Sequence, residues 1–465
     1  MAVDPLSQLS LPARDWFETT LGAPTRAQAL GLPSIIAGNS TLLLSPTGSG
    51  KTLAAFLSAV DRLMNSPEPA KEARCRVLYV SPLKALAVDI ERNLRAPIAG
   101  ITEAARRAGA ELRVPTLAVR TGDTPQAERA RMRRTPPDIL ITTPESLFLL
   151  LTSETRRVLS SVETVIVDEI HSLVASKRGA HLFLSLERLQ ALREGKPLQR
   201  IGLSATQRPL EEVARLLGGF DVELSQRAVT VIDAAQKKPL ELSVEMPEPV
   251  IEPQSDESDR LRDVISGPAA RGPAGARSVW PAVHERLVAL IRSHRTTMIF
   301  VNSRRLAERL ASALNDLAGE ELALAHHGSV AREKRQVIEE RLKAGLLPAI
   351  VATSSLELGL DIGAVDLVVQ IEAPPSIASG LQRIGRAHHH VGGTPQGVIM
   401  PKHKSDLLAT AAATRSMLEG DVEATFYPRN PLDVLAQQLV AMCAVEPYDV
   451  DALYRAVRQA APFAE

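Results

Sequence analysis

Cysteine is scarce in this chain: Cys75 and Cys443 are the two present in 465 residues. They lie far apart and without metal-ligand spacing, which excludes a disulfide framework and a cysteine-based zinc site. No run of eighteen or more apolar residues occurs, and the first eleven residues lack the basic-then-apolar order of a secretory signal. Neither a membrane span nor secretion is expected, and the cytoplasm is the expected location. A surplus of one charge is missing too. Lys and Arg number 54, as do Asp and Glu, so bulk electrostatics make no case for a polyanionic partner. A protein that must repeatedly release such a partner can still grip phosphates with amides, hydroxyls and a few placed bases. Aromatic residues make up 3%, so extensive base stacking is not expected; Trp280 and Phe300 are candidates for it or, on the alternative reading, core residues.

What is present is a recurring α/β pattern. Between residue 39 and about residue 220, short apolar runs (Thr41-Leu-Leu-Leu44, Val77-Leu-Tyr-Val80, Ile139-Leu-Ile141, Val165-Ile-Val167, Ile201-Gly-Leu203) alternate with amphipathic stretches such as 53–64 and 181–192. This reads as buried parallel strands with crossover helices, a doubly wound domain. From about 247 to 280 the composition turns to Pro, Gly, Ser, Ala and mixed charge, as expected of a flexible surface insertion. Alternation resumes with Thr297-Met-Ile-Phe-Val301, Ala349-Ile-Val-Ala352, Leu367-Val-Val-Gln-Ile371 and Gly397-Val-Ile-Met400, with a helix expected over 303–317. A helical pattern follows over 431–444 and 450–461, and the end of the chain looks like a cut through a further domain.

The first strand feeds Ser45-Pro-Thr-Gly-Ser-Gly-Lys-Thr52 and then an apolar helix. That strand, loop and helix order is what a phosphate-binding loop requires. Thr47, Gly48, Ser49 and Gly50 let backbone N–H groups turn towards the phosphates of ATP, Lys51 supplies a mobile positive charge, and the Thr52 hydroxyl can ligate Mg²⁺. Ser45 stands where the general pattern has its first Gly. After Val165-Ile-Val167 comes Asp168-Glu169-Ile170-His171. A carboxylate pair at the carboxyl end of a parallel strand suits Mg²⁺ at Asp168 and water activation by Glu169. Gln28 offers donor and acceptor to an adenine edge, or else caps a helix. Ser204-Ala-Thr206 is a hydroxyl-bearing turn that links the Mg²⁺ site onward or is simply capped. Arg383 and Arg386 share one helix face, where they either stabilise charge on the γ-phosphate or form a solvated basic face.

Taken in order, the Gln28 region, Ser45–Thr52, Ser81-Pro-Leu-Lys84, Thr142-Thr-Pro-Glu145, Asp168–His171, Ser204–Thr206, Val351–Asp361 and Gln382–Arg386 resemble superfamily 2 helicases. More narrowly, Ser176-Lys-Arg-Gly-Ala-His181, Ser204-Ala-Thr-Gln-Arg-Pro209, Val301-Asn-Ser-Arg-Arg305 and Asn430-Pro-Leu-Asp433 resemble the Lhr, or large helicase-related, family. The resemblance implies an α/β fold of two tandem RecA-like parallel-sheet domains, 1–235 and 236–428, followed by the start of a winged-helix domain at 429–465, with further C-terminal domains beyond. It implies 3′-to-5′ translocation on single-stranded DNA driven by ATP and Mg²⁺, unwinding of RNA:DNA or DNA duplexes, and a role in DNA repair. Gln28, Gly48, Gly50, Lys51, Thr52, Asp168, Glu169, Asp361, Arg383 and Arg386 become the ATP set. Lys84, Arg120, Thr143, Asn302, Ser303, His327, Gly328 and Thr353 become candidates for the strand track. An RNA helicase of the DEAD-box sort is the nearest rival, set apart by His171 in place of Asp. A nucleic-acid-binding scaffold with an idle ATPase is the other. After Arg386 the family has Ala-Gly-His where this chain has Ala387-His388-His-His390, a change expected to disturb close packing beside Arg386. The three adjacent His do not suit a metal, since neighbours on a helix point about 100° apart.

Overall fold

The computed structural model describes residues 4–46, 48–205, 207–235, 239–247, 279–357, 365–387 and 393–465. The chain divides into two units, Met1–Gln236 with Glu423–Glu465, and Lys237–Val422.

In the first unit Thr41–Leu44 (β1), Val77–Val80 (β2), Leu117–Arg120 (β3), Ile139–Thr142 (β4), Thr164–Val167 (β5), Gln199–Ser204 (β6) and Thr230–Asp233 (β7) form a parallel sheet in the order β3-β4-β2-β5-β6-β1-β7. Its inner strands are buried on both faces. Leu43 of β1 with Val77 and Tyr79 of β2 enters one apolar layer, while Leu42, Leu44, Leu78 and Val80 enter the other. Because successive side chains point to opposite faces, a strand covered on both sides needs apolar residues throughout, hence Thr-Leu-Leu-Leu and Val-Leu-Tyr-Val.

The second unit repeats the plan. Glu241–Val244 (β8), Thr297–Phe300 (β9), Ala323–His326 (β10), Ala349–Ala352 (β11), Leu367–Ile371 (β12) and Gln396–Met400 (β13) pair in parallel in the order β10-β11-β9-β12-β13-β8. These strands stand where β3, β4, β2, β5, β6 and β1 stand in the first sheet. Apolar periodicity anticipates every inner strand and none of the four outer ones, β3, β7, β8 and β10. The outer strands are only partly buried: β7 is mostly exposed and β8 alternates exposed with intermediate positions. An edge strand has fewer neighbours to bury against, so it carries no continuous apolar run. Phe300 is fully buried in the second sheet and Trp280 packs on its core, so both take the core alternative.

The segment 423–465 returns to the first unit. Val434, Val457, Ala460 and Phe463, from helices Leu432–Cys443 and Val450–Arg458 and the turn after them, bury with Leu184 of helix Lys177–Ala191. Gln438 is fully buried there; its Oε1 accepts from Arg188 at 2.8 Å, and its Nε2 donates to Ser185 Oγ at 3.0 Å. A boundary expected at 428/429 therefore falls inside a piece that packs as part of the first unit. Most of the expected insertion, residues 248–278, lies outside the described residues.

Candidate functional site

All strands of a parallel sheet end at one edge, and loops there converge. At that edge of the first sheet the neighbours β5, β6 and β1 deliver the acidic motif, Ser204-Ala205 and the Gly-rich loop. The Ser45 N–H donates to the Ser204 carbonyl at 3.0 Å, which ties the loop to the end of β6. Gly48 and Gly50 both have φ of +77°, a left-handed conformation that other residues adopt only at a cost. A Cβ on Gly50 would also stand 2.4 Å from Gln28 Nε2. Lys51 opens helix Lys51–Met64 with its side chain buried, its Nζ 4.0 Å from Glu169 Oε1.

Asp168 and Glu169 are both buried. Asp168 Oδ2 accepts from the Tyr79 hydroxyl, and Oδ1 accepts from the Glu169 N–H at 2.8 Å. Burial, and then the charge of Glu169, push the Asp168 carboxyl up to about 6 against the pull of Lys51. Burial and the adjoining Asp168 raise the Tyr79 phenol well above its ordinary range, so it stays a donor. Glu169 has φ of 47°, uncommon for a residue with a side chain and characteristic of functional turns. His171 Nδ1 accepts from the Ala205 N–H at 3.2 Å and lies 3.4 Å from Glu169 Oε2. The acidic motif and the Ser204-Ala205 turn are thereby one hydrogen-bonded unit.

This donor set fits a hard divalent cation. Two buried carboxyl groups meet one ammonium, Lys51, and the raised Asp168 marks the shortage of positive charge. Asp168, with the Thr52 hydroxyl at the helix start, would hold the ion; Glu169 lies beside it.

Gln28 takes the capping role. Its Oε1 accepts from the Thr25 N–H at 2.9 Å, its backbone N–H donates to Thr25 Oγ1, and its Nε2 donates to the Gly50 carbonyl at 3.4 Å. Thr25 Oγ1 in turn donates to the Ser49 carbonyl at 2.6 Å. The capping box thus braces the Gly-rich loop from below, with a second lone pair and a second proton of the Gln28 amide left for other partners.

The strand-track candidates fall on the other half of each sheet. Lys84, Arg120 and Thr143 follow or end β2, β3 and β4, which are adjacent, while Asn302 and Ser303, His327 and Gly328, and Thr353 follow β9, β10 and β11, also adjacent. Lys84 Nζ pairs with Asp123 at 2.6 Å and Arg120 Nη1 donates to the Thr121 carbonyl. Thr143 is buried and donates to Ser146 Oγ at 3.2 Å; Ser303 caps helix Arg304–Ala318; His327 Nε2 meets Glu308 at 2.7 Å.

Arg383 is buried inside the second unit. Its Nε donates to Glu357 Oε2 at 2.9 Å, its Nη1 to Asn302 Oδ1 at 3.0 Å and Gln370 Oε1 at 2.9 Å, and its guanidinium lies 5.3 Å over Phe300. Arg386, equally buried, donates to the Glu357 carbonyl. Neither forms a solvated basic face. Thr47, Thr206, Asp361 and His388 to His390 lie outside the described residues. Sequence reading missed Tyr79, Glu357 and Gln370. A polar group within an apolar strand run was a signal for Tyr79 in β2 and for Gln370 in β12; Glu357 lies in no spacing that marks it.

Residues 25–214 match the DEAD/DEAH box helicase family, residues 282–390 the helicase conserved C-terminal domain, and residues 415–465 the winged helix domain of large helicase-related proteins. Over 99% of its length the chain aligns, at 50% identity, with the Lhr helicase/probable uracil glycosylase of Mycolicibacterium smegmatis, and it spans 31% of that protein. It is 41% identical to the ATP-dependent helicase Lhr-Core protein 2 of Thermococcus barophilus over 98% of its length and spans 51% of it. A solved structure of the Mycobacterium smegmatis helicase Lhr bound to ssDNA and AMP-PNP is 53% identical, with a TM-score of 0.86 over 99% of this chain and 56% of that one.

Proposed function

Because the chain belongs to the large helicase-related family of superfamily 2 helicases, we propose that it is an ATP-driven motor on single-stranded DNA. The observation that carries this reading is the buried grouping of Lys51, Asp168 and Glu169 at the end of the sheet, braced by Tyr79, His171 and Gln28. Lys51 and the Gly48 to Gly50 backbone bind the phosphates. Glu169 orients water and takes its proton, since in-line positioning and charge neutralisation are what phosphoryl transfer needs. Asp168 and Thr52 would hold Mg²⁺, which would supply charge to neutralise the phosphates. Arg383 and Arg386 are assigned to transition-state charge on the same nucleotide, and Asp361 to the nucleotide as well.

The track residues Lys84, Arg120, Thr143, Asn302, Ser303, His327, Gly328 and Thr353 grip the sugar-phosphate backbone and read no sequence. Resemblance to the family supports the finer assignments: 3′-to-5′ movement, unwinding of RNA:DNA or DNA duplexes and a role in DNA repair; a cytoplasmic setting is proposed beside them. Among the described residues no helix is long and apolar enough to cross a membrane. Displacement of a labelled RNA or DNA strand from duplexes carrying a 3′ or a 5′ DNA tail, with and without ATP and Mg²⁺, tests the reading. Displacement is expected from the 3′-tailed duplexes with ATP. ATP-independent binding with no hydrolysis would leave a scaffold instead.

A further inference from the structure

A cavity of about 240 Å³ lies beside the track half of the first sheet, between helix Gln126–Arg134, helix Pro144–Leu151 and the turn Arg156–Leu159. Its wall is aliphatic, with Met132, Leu149 and Val158 in it, and Leu149 is 53% exposed, which is unusual for a large apolar side chain. Arg120, Arg129 and Arg133 line it as well, and no carboxylate does. Among the described residues none of these three arginines has an acidic partner within salt-bridge distance. Arg129 is held by the carbonyls of Thr124 and Gly122, at 2.7 and 2.9 Å, so its position is set by the loop that also carries Asp123, the partner of Lys84. Burial and then the like charge of Arg129 lower the Arg120 guanidinium. Helix Gln126–Arg134 buries none of its residues and sets Arg129, Arg131, Arg133 and Arg134 against a single acid, Glu128. Guanidinium groups without an acidic partner beside an exposed apolar slot suit a ligand that brings anionic charge and an apolar face together.

We infer that this cavity receives one unstacked nucleotide of the single strand, its base against Met132, Leu149 and Val158 and its phosphates on Arg120, Arg129 and Arg133. The inference rests on the strand-binding reading proposed above and extends it to a place where one base leaves the backbone-only track. Size agrees: ligand pockets run from about 300 to 1,000 Å³ for drug-sized molecules, so this one holds a single base and little more. With so few aromatic residues in the chain, aliphatic walls and guanidinium planes are the surfaces left to hold a base face. A nucleotide is favoured over an acidic peptide because Arg120, itself a track candidate, lines the cavity and ends β3 beside the strand that leads to Thr143.

The test measures binding of the whole chain to dT12 and to a series of dT12 molecules with one abasic position walked along them. Wild type should show one register at which losing the base weakens binding about tenfold. Leu149→Trp fills the slot from an exposed position, and Arg133→Glu reverses charge on an exposed helix face; each should flatten that register dependence. Arg133→Glu should also lower the slope of log K against log salt by about one. If Leu149→Trp lowers the melting temperature, Arg133→Glu and the wild-type abasic series still decide. A flat wild-type series, with dT12 binding that Lys84→Ala weakens, overturns the cavity inference alone. No wild-type binding to dT12 overturns it together with the strand-binding reading. An acidic apolar peptide that binds wild type and is lost in both variants, with a flat abasic series, assigns the cavity to a protein partner and also overturns it.

Discussion

At the end of β5 in the first sheet stands Glu169, with φ of 47°; at the end of β12, in the matching place of the second sheet, stands Glu372, with φ of 66°. Each has a lysine near it, Lys51 at 4.0 Å and Lys402 at 3.0 Å. The same order of strands has therefore stored the same strained acid twice. Among the described residues only the first copy sits beside a Gly-rich loop; the strand in the place of β1 is β8, Glu-Leu-Ser-Val, followed by Glu245-Met-Pro247. The two edges also differ in charge balance. Lys51 faces two buried carboxyl groups, so the first edge is short of positive charge. In the second, Arg383 is matched by Glu357 and two amide oxygens. Shared topology places the chemistry, and the side chains delivered set the charge balance of each edge.

The contrast is broken most directly at Lys51. Lys51→Ala or Glu169→Gln should lower strand-stimulated ATP turnover by about a hundredfold or more, whereas Glu372→Gln should leave it within a few-fold; malachite-green phosphate release compares them, and equal losses would erase the distinction between the edges. Arg383→Ala comes next. It should lower kcat about a hundredfold with a smaller change in nucleotide affinity, since an arginine assigned to the transition state acts little in the ground state. A loss of affinity as large as the loss of kcat, measured with a fluorescent nucleotide, would make Arg383 a structural residue of its own unit. Third, Phe463→Ala should cost about 3 kcal/mol of the first unit's stability, the usual penalty for emptying a buried phenyl site. Denaturant unfolding checks it, and an unchanged midpoint would mean that residues 423–465 are not integral to that unit.

The smallest effect is one of pH. Burial lowers the His181 imidazole below its ordinary 6.5, opposed by Glu145 and reinforced by Arg188. The unfolded chain then takes up the proton more readily than the folded one, so this contribution is present above pH 6.5 and lost as pH falls below it. Melting between pH 5.5 and 8 should show a decline at the acid end that His181→Gln flattens.

The candidate site was legible where its residues are consecutive. Ser45 to Thr52 and Asp168 to His171 are each one continuous stretch of sequence after one apolar strand, and inner strands are recognisable because burial on both faces leaves no polar alternation. Gln28 was visible as a site residue, but its alternatives were separable only by geometry, since a capping box and an adenine contact use the same amide.

By itself the sequence determined the family, the parallel α/β plan, and the loop and acid pair assigned to a nucleotide, because each is written in a short stretch of chain whose strand, turn and helix are continuous. Tertiary structure alone decided that Arg383 is held by Glu357, Asn302 and Gln370, that Tyr79 supports Asp168, and that residues 423–465 fold back on helix Lys177–Ala191. Those pairings join polar groups or apolar faces from segments between 13 and more than 250 residues apart. No local period or propensity encodes such partners; they are chosen by which strands lie side by side and which buried groups are left to be satisfied.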